Sequence, residues 1–470
     1  MKLIKQLLVA GLFVAAASSC KKELFEVDYN LDPNAPPSDL YLNNATAQQI
    51  NALGVGLQSV MRAGFVDFTR NAAAVGREVI FSASTDNRYF TELLGTNTAA
   101  LGGANDPTGI FNGYYSSYSQ TRRRAEQFIT AAKNTNSITA AQKSSVEGFA
   151  KTVQAFVTLN LALMQGKNGI RETFSDYLTP GDLLKPGKFG TYATALALCK
   201  KYADDGLTAL NAAGTTFPFT INSGFAGFSS VADFRKFNRA IAARIAMHQA
   251  DWAGVLSALN GSFLDLTGNL GVGPRLIFST APNDFTNGLF HVANSSGAPY
   301  VVFNDVIADA EAGDRRMFGA GAKVGQRLDA NGVPNPRQSG AFTSTHEVRM
   351  YASNVASASI IRNEELVLMY AEAQAQLNAT GLAKTAIDLV RANAGLPAYS
   401  GALTTAALVD EVLKQRRYSL FNEGHRWFDM RRYNRLASVR PSGLIGTITF
   451  VVFEAMARPD AEVQWDLLNP

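Results

Sequence analysis

The chain has few cysteines, tryptophans and histidines. It contains two Cys, three Trp and four His among 470 residues. Two cysteines cannot build the disulfide framework that stabilises many small exported domains. Stability must therefore come from a large hydrophobic core, which this length and a hydrophobic content of 47% can provide. We expect Cys199, which lies in a helical pattern, to be a buried apolar residue of that core.

The chain also lacks a strong net charge and an apolar run long enough to span a bilayer. Its formal net charge is +4, and no Lys/Arg tract outside the C-terminal region suggests nucleic acid or an anionic surface as a partner. The apolar run from Leu7 to Ala17 is shorter than the roughly 20 residues of a membrane-spanning helix. We therefore expect no nucleic-acid partner.

Sequence motifs of common enzyme classes are missing as well. His346 is followed by Glu347, but the second histidine of an H-E-x-x-H zinc site is absent. There is no G-x-S-x-G nucleophile elbow and no glycine-rich phosphate loop followed by a helix. Glu423, His425 and Asp429 could form a metal or acid–base cluster, but the nearby arginines 426, 431 and 432 favour simple ion pairing. We expect a protein that is not an enzyme and has no metal site or cofactor.

The first residues have the pattern of an export signal. Lys2 and Lys5 precede the short apolar run, and Ser18 and Ser19 stand directly before Cys20. This pattern predicts a lipoprotein signal peptide over residues 1–19, lipidation of Cys20 and a polar, proline-containing tether over 20–40. The alternative is an ordinary secretory signal with an incidental cysteine. The remaining residues, 41–470, are expected to form a single domain.

Helical periodicity dominates the rest of the chain. Apolar residues recur at helical spacing over 46–62, 114–133, 139–165, 189–212 and 231–260. Two stretches, 63–113 and 261–358, are instead rich in Gly, Asn, Ser, Thr and Pro, and we expect irregular, loop-rich structure there. A strand is expected within 447–453, where β-branched residues cluster. The patterns predict a mainly α fold in which helix pairs of similar length form a scaffold.

The C-terminal region 361–434 has the most specific sequence. It reads IRNEELVLMYAEAQAQLN, then AIDLVRANAGL, then QRRYSLFNEGHRWFDMRRY. The spacing predicts three helices, the second ending at Gly395 and the third running from about Thr404 to Asn422 before Gly424. These segments resemble the C-terminal signature of the RagB/SusD family, the surface glycan-binding lipoproteins of Bacteroidetes-type bacteria. Weaker similarity extends over nearly the whole chain, to the closing RPDAEVQWDLLNP.

The resemblance implies a fold, a function and a location. The fold would be about four tetratricopeptide-like helix pairs with a loop-rich region and few short strands. The protein would capture an oligosaccharide and pass it to a TonB-dependent outer-membrane transporter of the SusC type. It would be anchored by lipid in the outer membrane and face the cell exterior. The alternatives are a peptide-capturing lid of a similar transporter and a surface enzyme that degrades glycans.

Carbohydrate sites need aromatic rings for stacking and polar side chains in fixed positions. Two loop clusters offer both, and the family's ligand sites lie on loops of the irregular region. The first cluster consists of Asp86, Asn87, Arg88, Tyr89 and Phe90, with Tyr114 and Tyr115 as further candidates. The second consists of Asn283, Asp284, Phe285, Phe290 and His291, with Tyr300 nearby.

Overall fold

Helices make up most of the structure. A computed structural model describes residues 42–82, 88–95, 105–109, 112–173, 186–297, 299–339, 342–441, 443–445 and 448–468. The helices of these residues are α1 (Ala47–Val60), α2 (Phe65–Val75), α3 (Arg88–Leu94), α4 (Asn112–Asn134), α5 (Ala140–Gln165), α6 (Tyr192–Ala212), α7 (Val231–His248), α8 (Trp252–Asn260), α9 (Asn304–Ala308), α10 (Asn363–Gln376), α11 (Thr380–Asn393), α12 (Thr405–Ser419), α13 (Arg426–Arg432) and α14 (Asp460–Leu468). The predicted mainly α fold is confirmed.

The longer helices pack in pairs. Within the described residues, α1 packs on α4, α5 on α6, α7 on α8 and α10 on α11. Neighbouring pairs touch through α4 and α5, through α6 and α7, and through α8 and α10. Each pair thus contacts the next one along the chain, as in a helical-repeat scaffold. The tetratricopeptide-like arrangement predicted from the resemblance is present.

Several helix starts are encoded locally by capping boxes. The Thr46 hydroxyl accepts a hydrogen bond from the Gln49 N–H at 3.2 Å, and the Gln49 side chain accepts one from the Thr46 N–H at 2.8 Å. Thr139 and Gln142 repeat this arrangement at the start of α5. Each box satisfies two N–H groups that the first helical turn would otherwise leave without acceptors.

The main hydrophobic core lies between the helix pairs. Phe149 of α5 is fully buried, and its ring stacks on Phe234 of α7 with centroids 4.8 Å apart. Phe219 adds an edge-to-face contact with Phe149 at 5.0 Å. Cys199 of α6 is buried in the same core with a free thiol, which confirms the expectation for this residue.

Two parts of the helix prediction were wrong. The pattern over 231–260 forms two helices, because the chain turns at Ala250 with φ of 56° and restarts at Asp251, whose carboxylate caps α8. The stretch 63–113 contains α2 and α3, although its composition predicted loops. Phe65, Phe68 and Ala72 of α2 are buried on one face, so packing stabilises a helix despite the surrounding polar sequence.

Most of the short strands lie between α8 and α10. A four-stranded sheet has the order β1 (Val79–Phe81), β3 (Tyr300–Val302), β7 (His346–Val348) and β4 (Val324–Gln326). Neighbouring strands within this sheet are antiparallel. Three two-stranded sheets pair β2 (Arg275–Leu276) with β8 (Ala358–Ser359), β5 (Arg337–Ser339) with β6 (Phe342–Ser344), and β9 (Gly443–Ile445) with β10 (Ile448–Phe450). Of the strand predicted over 447–453, Ile448–Phe450 is present and 451–453 is not in a strand, while position 447 lies outside the described residues.

The helix stop predicted at Gly395 is confirmed, whereas α12 ends at Ser419, three residues before the predicted end at Asn422. Gly395 follows the end of α11 with φ of 77°, and Gly424 lies with φ of 82° in the turn between α12 and α13. This left-handed conformation is favourable for glycine and strained for most other residues. Within the described residues, no helix has both the length and the apolar composition that crossing a bilayer requires.

Candidate functional site

The second predicted loop cluster is fixed to the turn that follows α1. Arg62 donates a hydrogen bond to Asp284 Oδ1 at 2.6 Å and another to the Ile277 carbonyl at 2.7 Å. Its guanidinium also lies 5.3 Å from the ring centre of Phe285, which is 39% exposed. A buried arginine thus holds the loop so that an aromatic ring stays at the surface.

Buried polar groups hold the rest of this loop. Asn287 is 1% exposed, and its side-chain N–H donates to the Ala356 carbonyl at 2.8 Å. The Tyr300 hydroxyl donates to the Gly288 carbonyl at 2.9 Å. Since backbone carbonyls inside a loop need donors, these bonds fix the loop conformation. Phe290, two residues after Gly288, is half-buried.

Arg70 of α2 holds a residue of the first cluster. It donates to Asp67 Oδ1 at 2.6 Å and to the Tyr89 hydroxyl at 3.1 Å. The Arg70 guanidinium lies 5.1 Å from the ring centre of Tyr89 and 5.4 Å from that of Phe81. Tyr89 is half-buried, so part of this residue is accessible to solvent.

Residues of the two predicted clusters meet at Phe81. The Phe81 ring lies 4.8 Å from Tyr89 and 4.9 Å from Tyr300, centroid to centroid. Tyr300 in turn lies 5.8 Å from the His291 ring. We refer to Arg70, Phe81, Tyr89, His291 and Tyr300 as the loop junction. Sequence reasoning missed Arg70 and Phe81, because both lie in a stretch whose composition predicted loops.

A buried carboxylate anchors the inner side of the loop junction. Glu347 of β7 lies 3.6 Å from His291 Nε2 and accepts a hydrogen bond from the Asn294 N–H at 2.7 Å. Arg327 and Arg349 pair with the same carboxylate. Burial alone would raise the pKa of Glu347, but His291, the Asn294 N–H and Arg349 lower it below its ordinary value. This carboxylate is therefore ionised and engaged in structure.

Several predicted site residues are buried in the core. Phe90 is 3% exposed and packs edge-to-face on Phe450, and Tyr300 is 2% exposed. Tyr114 accepts a hydrogen bond from Gln165 at 2.7 Å, and Tyr115 packs beside it with 5% exposure. Burial raises the pKa of both α4 tyrosines. None of these four rings has an open face for stacking, so they can only support a site.

The other candidates lie at the surface or outside the described residues. Asn283 and Asp284 are exposed, as is Arg88 at the start of α3. Asp86 and Asn87 fall outside the described residues, and so does the predicted lipidation site Cys20. The ligand-binding role of the two clusters stays a prediction.

The sequence profile of the SusD family matches residues 337–464, a range that contains the whole predicted signature. The fold is similar to that of surface glycan-binding protein A from Bacteroides thetaiotaomicron, with a TM-score of 0.65, 15% identity and coverage of 90% of this chain and 98% of that one. The C-terminal part of the chain therefore matches the SusD family in sequence, and the chain as a whole is similar to SusD-like proteins in fold. No curated protein sequence matches this chain significantly.

Further solved SusD-like structures have the same fold. The complex of surface glycan-binding protein A from Bacteroides thetaiotaomicron with laminarihexaose gives a TM-score of 0.66 at 15% identity, covering 89% of this chain and 98% of that one. A laminarin-binding SusD-like protein gives a TM-score of 0.63 at 17% identity, with coverage of 89% and 98%. At 15–17% sequence identity, these comparisons show that the folds are similar.

The signature residues of the C-terminal region are part of the scaffold. Asp429 is buried between Arg416, at 2.7 Å, and Arg432, at 2.9 Å. His425 lies 3.9 Å from Glu365. Arginines 426, 431 and 432 were expected to form ion pairs with Glu423 and Asp429. Of these three, only Arg432 does so, through Asp429, and Arg431 donates hydrogen bonds to backbone carbonyls instead. Among the described residues, no group of three or more His, Cys, Asp or Glu could hold a metal ion.

Proposed function

We propose that this protein captures an oligosaccharide at the cell surface and passes it to a TonB-dependent outer-membrane transporter of the SusC type. The observation that carries the proposal is the loop junction, where parts of two aromatic loop clusters meet on a rigid helical scaffold. Loops held by a rigid scaffold are common places for binding residues. The glycan ligands of the related surface proteins support the same reading.

The surface near the junction has the chemistry that a sugar ring needs. Tyr89 and Phe285 offer partly open aromatic faces, onto which the C–H face of a pyranose can stack. Asn283 and Asp284 are exposed beside Phe285 and can hydrogen-bond to hydroxyls at the ring edge. Since Arg62 and Arg70 hold Phe285 and Tyr89 in place, binding would order few additional side chains.

The proposal includes lipid attachment at Cys20 and a position at the outer face of the outer membrane. The tether over 20–40 would give the folded body freedom to move over the transporter. Transfer of a ligand needs contact between the two proteins, so the transporter should be recovered with this protein from solubilised outer membranes. Persistent recovery as a free monomer would count against transfer to a transporter.

We further propose that the protein binds without turnover. Glycoside hydrolysis needs a carboxylic acid with a raised pKa beside a second carboxylate. Burial tends to raise the pKa of Asp284, but the Phe285 N–H and Arg62 lower it, and the pKa of Glu347 is lowered as well. Neither carboxylate can act as a general acid at neutral pH. A peptide ligand for the same surface remains the alternative.

Native gel electrophoresis in the presence of soluble polysaccharides tests the proposal. We expect at least one polysaccharide, with laminarin included in the panel, to retard the mature protein without release of reducing ends. Reducing ends released from the retained polysaccharide would support the enzyme instead. Retardation by none of them, together with binding of a peptide mixture, would support peptide capture.

A further inference from the structure

A pocket elsewhere in the sequence shares no lining residue with the loop junction. It has a volume of about 290 Å³ and is formed by α12, α13 and the end of α9. Its lining carries more basic than acidic side chains: Lys414, Arg417, Arg426 and Arg435 against Asp309 and Asp410. Leu413 and Met430, both nearly buried, add an apolar wall.

Most of these basic groups already have acidic partners. Arg417 pairs with Asp309 at 2.8 Å, Arg435 with Asp410 at 2.5 Å, and Lys414 with Glu311 at 3.0 Å. Arg426 differs, since among the described residues no acceptor lies within hydrogen-bond distance of its guanidinium. A half-buried guanidinium without an acceptor is costly unless a ligand or water fills that role.

Tyr418 is a second donor without an acceptor in this pocket. It is 1% exposed, and its hydroxyl has no hydrogen-bond partner in the described part of the chain. Burial raises its pKa to about 12, so the hydroxyl keeps its proton and can donate. Buried polar groups are nearly always hydrogen-bonded in folded proteins, so an unpaired donor on a pocket wall points to a missing acceptor.

The carboxyl group of Glu78 could neutralise the charge of Arg426, but the two side chains are not hydrogen-bonded to each other. Both Glu78 oxygens are buried without a hydrogen-bond partner. Burial raises the pKa of this carboxyl to about 8, despite the opposing effect of Arg426 and Arg417. At neutral pH it is therefore mainly uncharged and leaves the charge of Arg426 available.

We propose that this pocket binds the carboxylate of a small acidic ligand, about the size of one acidic sugar unit, with Arg426 and Tyr418 as donors. A guanidinium pairs with a carboxylate through two parallel N–H···O bonds, which gives such sites their selectivity for planar anions. The volume lies near the lower end of the range of about 300–1,000 Å³ for small-molecule sites. The apolar wall suits the C–H face of a sugar ring. This inference does not depend on the proposed function of the loop junction.

Calorimetric titration of the mature protein with D-glucuronate, D-glucose and acetate tests the pocket. We expect saturable binding of glucuronate that weakens as NaCl rises, and no binding of glucose at the same concentrations. If acetate binds as tightly as glucuronate, the pocket binds a carboxylate but does not recognise the sugar ring, and the proposed ligand size is wrong. Equal binding of glucuronate and glucose, or no binding of either, would overturn the site.

Variants separate this pocket from other sites. Arg426→Gln should weaken glucuronate binding roughly tenfold or more, and Tyr418→Phe by a smaller factor, because a charged hydrogen bond contributes more than a neutral one. Lys200→Gln is the control, since it removes a cation that lies outside the pocket and is paired with Asp204, and it should change affinity less than about twofold. If Arg426→Gln unfolds, Arg426→Lys should fold and bind with intermediate affinity. Wild-type affinity in the folded Arg426 variant, or loss of glucuronate binding in Phe285→Ala, would overturn the assignment.

Discussion

The rings of Phe81 and Tyr300 lie 4.9 Å apart, and this contact joins two loop clusters that are distant in sequence. Phe81 ends strand β1 and Tyr300 begins strand β3, and the two residues are register partners in the antiparallel pair. The four-stranded sheet therefore determines which loop residues can act together.

Arg70→Gln should weaken glycan binding without unfolding the protein. The substitution removes the ion pair with Asp67 and the cation that lies over the Tyr89 and Phe81 rings. Because cation–π contacts contribute about 0.5–2 kcal/mol, we expect Tyr89 to lose its fixed position and affinity to fall severalfold. Titration with the retained polysaccharide measures this. Arg123→Gln on the exposed side of α4 is a suitable control, and an equal effect there would exclude a specific role for Arg70.

Removing Asp429 should cause a large loss of stability. Its carboxylate pairs with the buried side chains of Arg416 and Arg432, so Asp429→Ala leaves buried cations unpaired. We expect the free energy of unfolding to fall by about 3–5 kcal/mol. Chemical denaturation checks this, with Asp205→Ala as control because its partner Lys201 is exposed. An exposed pair contributes less than about 1 kcal/mol, so similar losses in both variants would contradict the account.

Acid should destabilise the protein through His425. Burial lowers the pKa of its imidazole to about 4, against an ordinary value of 6.5. The unfolded chain therefore binds a proton that the folded chain excludes, and stability is lost as pH falls from about 6.5 to 4. His425→Gln should remove this part of the pH dependence in denaturation curves. An unchanged difference between the two proteins from pH 7 to pH 4 would show that His425 does not titrate this way.

Glu78 should make the protein less stable as pH rises, which is opposite to the effect of His425. Burial raises its pKa to about 8, although Arg426, Arg417 and Lys323 oppose this and Glu423 adds to it. The folded chain keeps a proton that the unfolded chain releases, so stability is lost as pH rises from about 4.5 to 8. Glu78→Gln should therefore gain stability relative to the wild type over this range. A constant difference from pH 5 to pH 8 would contradict the prediction.

The helical part of the fold could be predicted because its signals are local. Thr46 and Thr139 mark helix starts through capping boxes, and Gly395 marks a helix end through left-handed backbone. These signals act within a few residues, so the sequence itself carries them. The break at Ala250 was missed because the apolar period continues across it.

The candidate site could be predicted only in part. Composition pointed to the loops that contain Tyr89 and Phe285, but it could not separate them from Phe90 and Tyr114, which are buried. Burial depends on contacts with distant segments, such as that between Phe90 and Phe450. The role of Arg70 depends on contacts within a helix that packing stabilises, and periodicity alone did not reveal that helix.

The most direct test of the central claim is the affinity of the Phe285→Ala and Tyr89→Ala variants for the polysaccharide that the wild type retains. Phe285 is exposed and Tyr89 is half-buried, and loss of one ring that stacks on a sugar should cost about 0.5–1.5 kcal/mol, or roughly two- to tenfold in affinity. Leu403→Ala, which removes an exposed apolar side chain of the loop that precedes α12, should bind as the wild type does. Weaker binding in both aromatic variants, with the control unchanged, is the predicted result. Unchanged affinity in both aromatic variants would place the glycan site away from the loop junction and contradict the account.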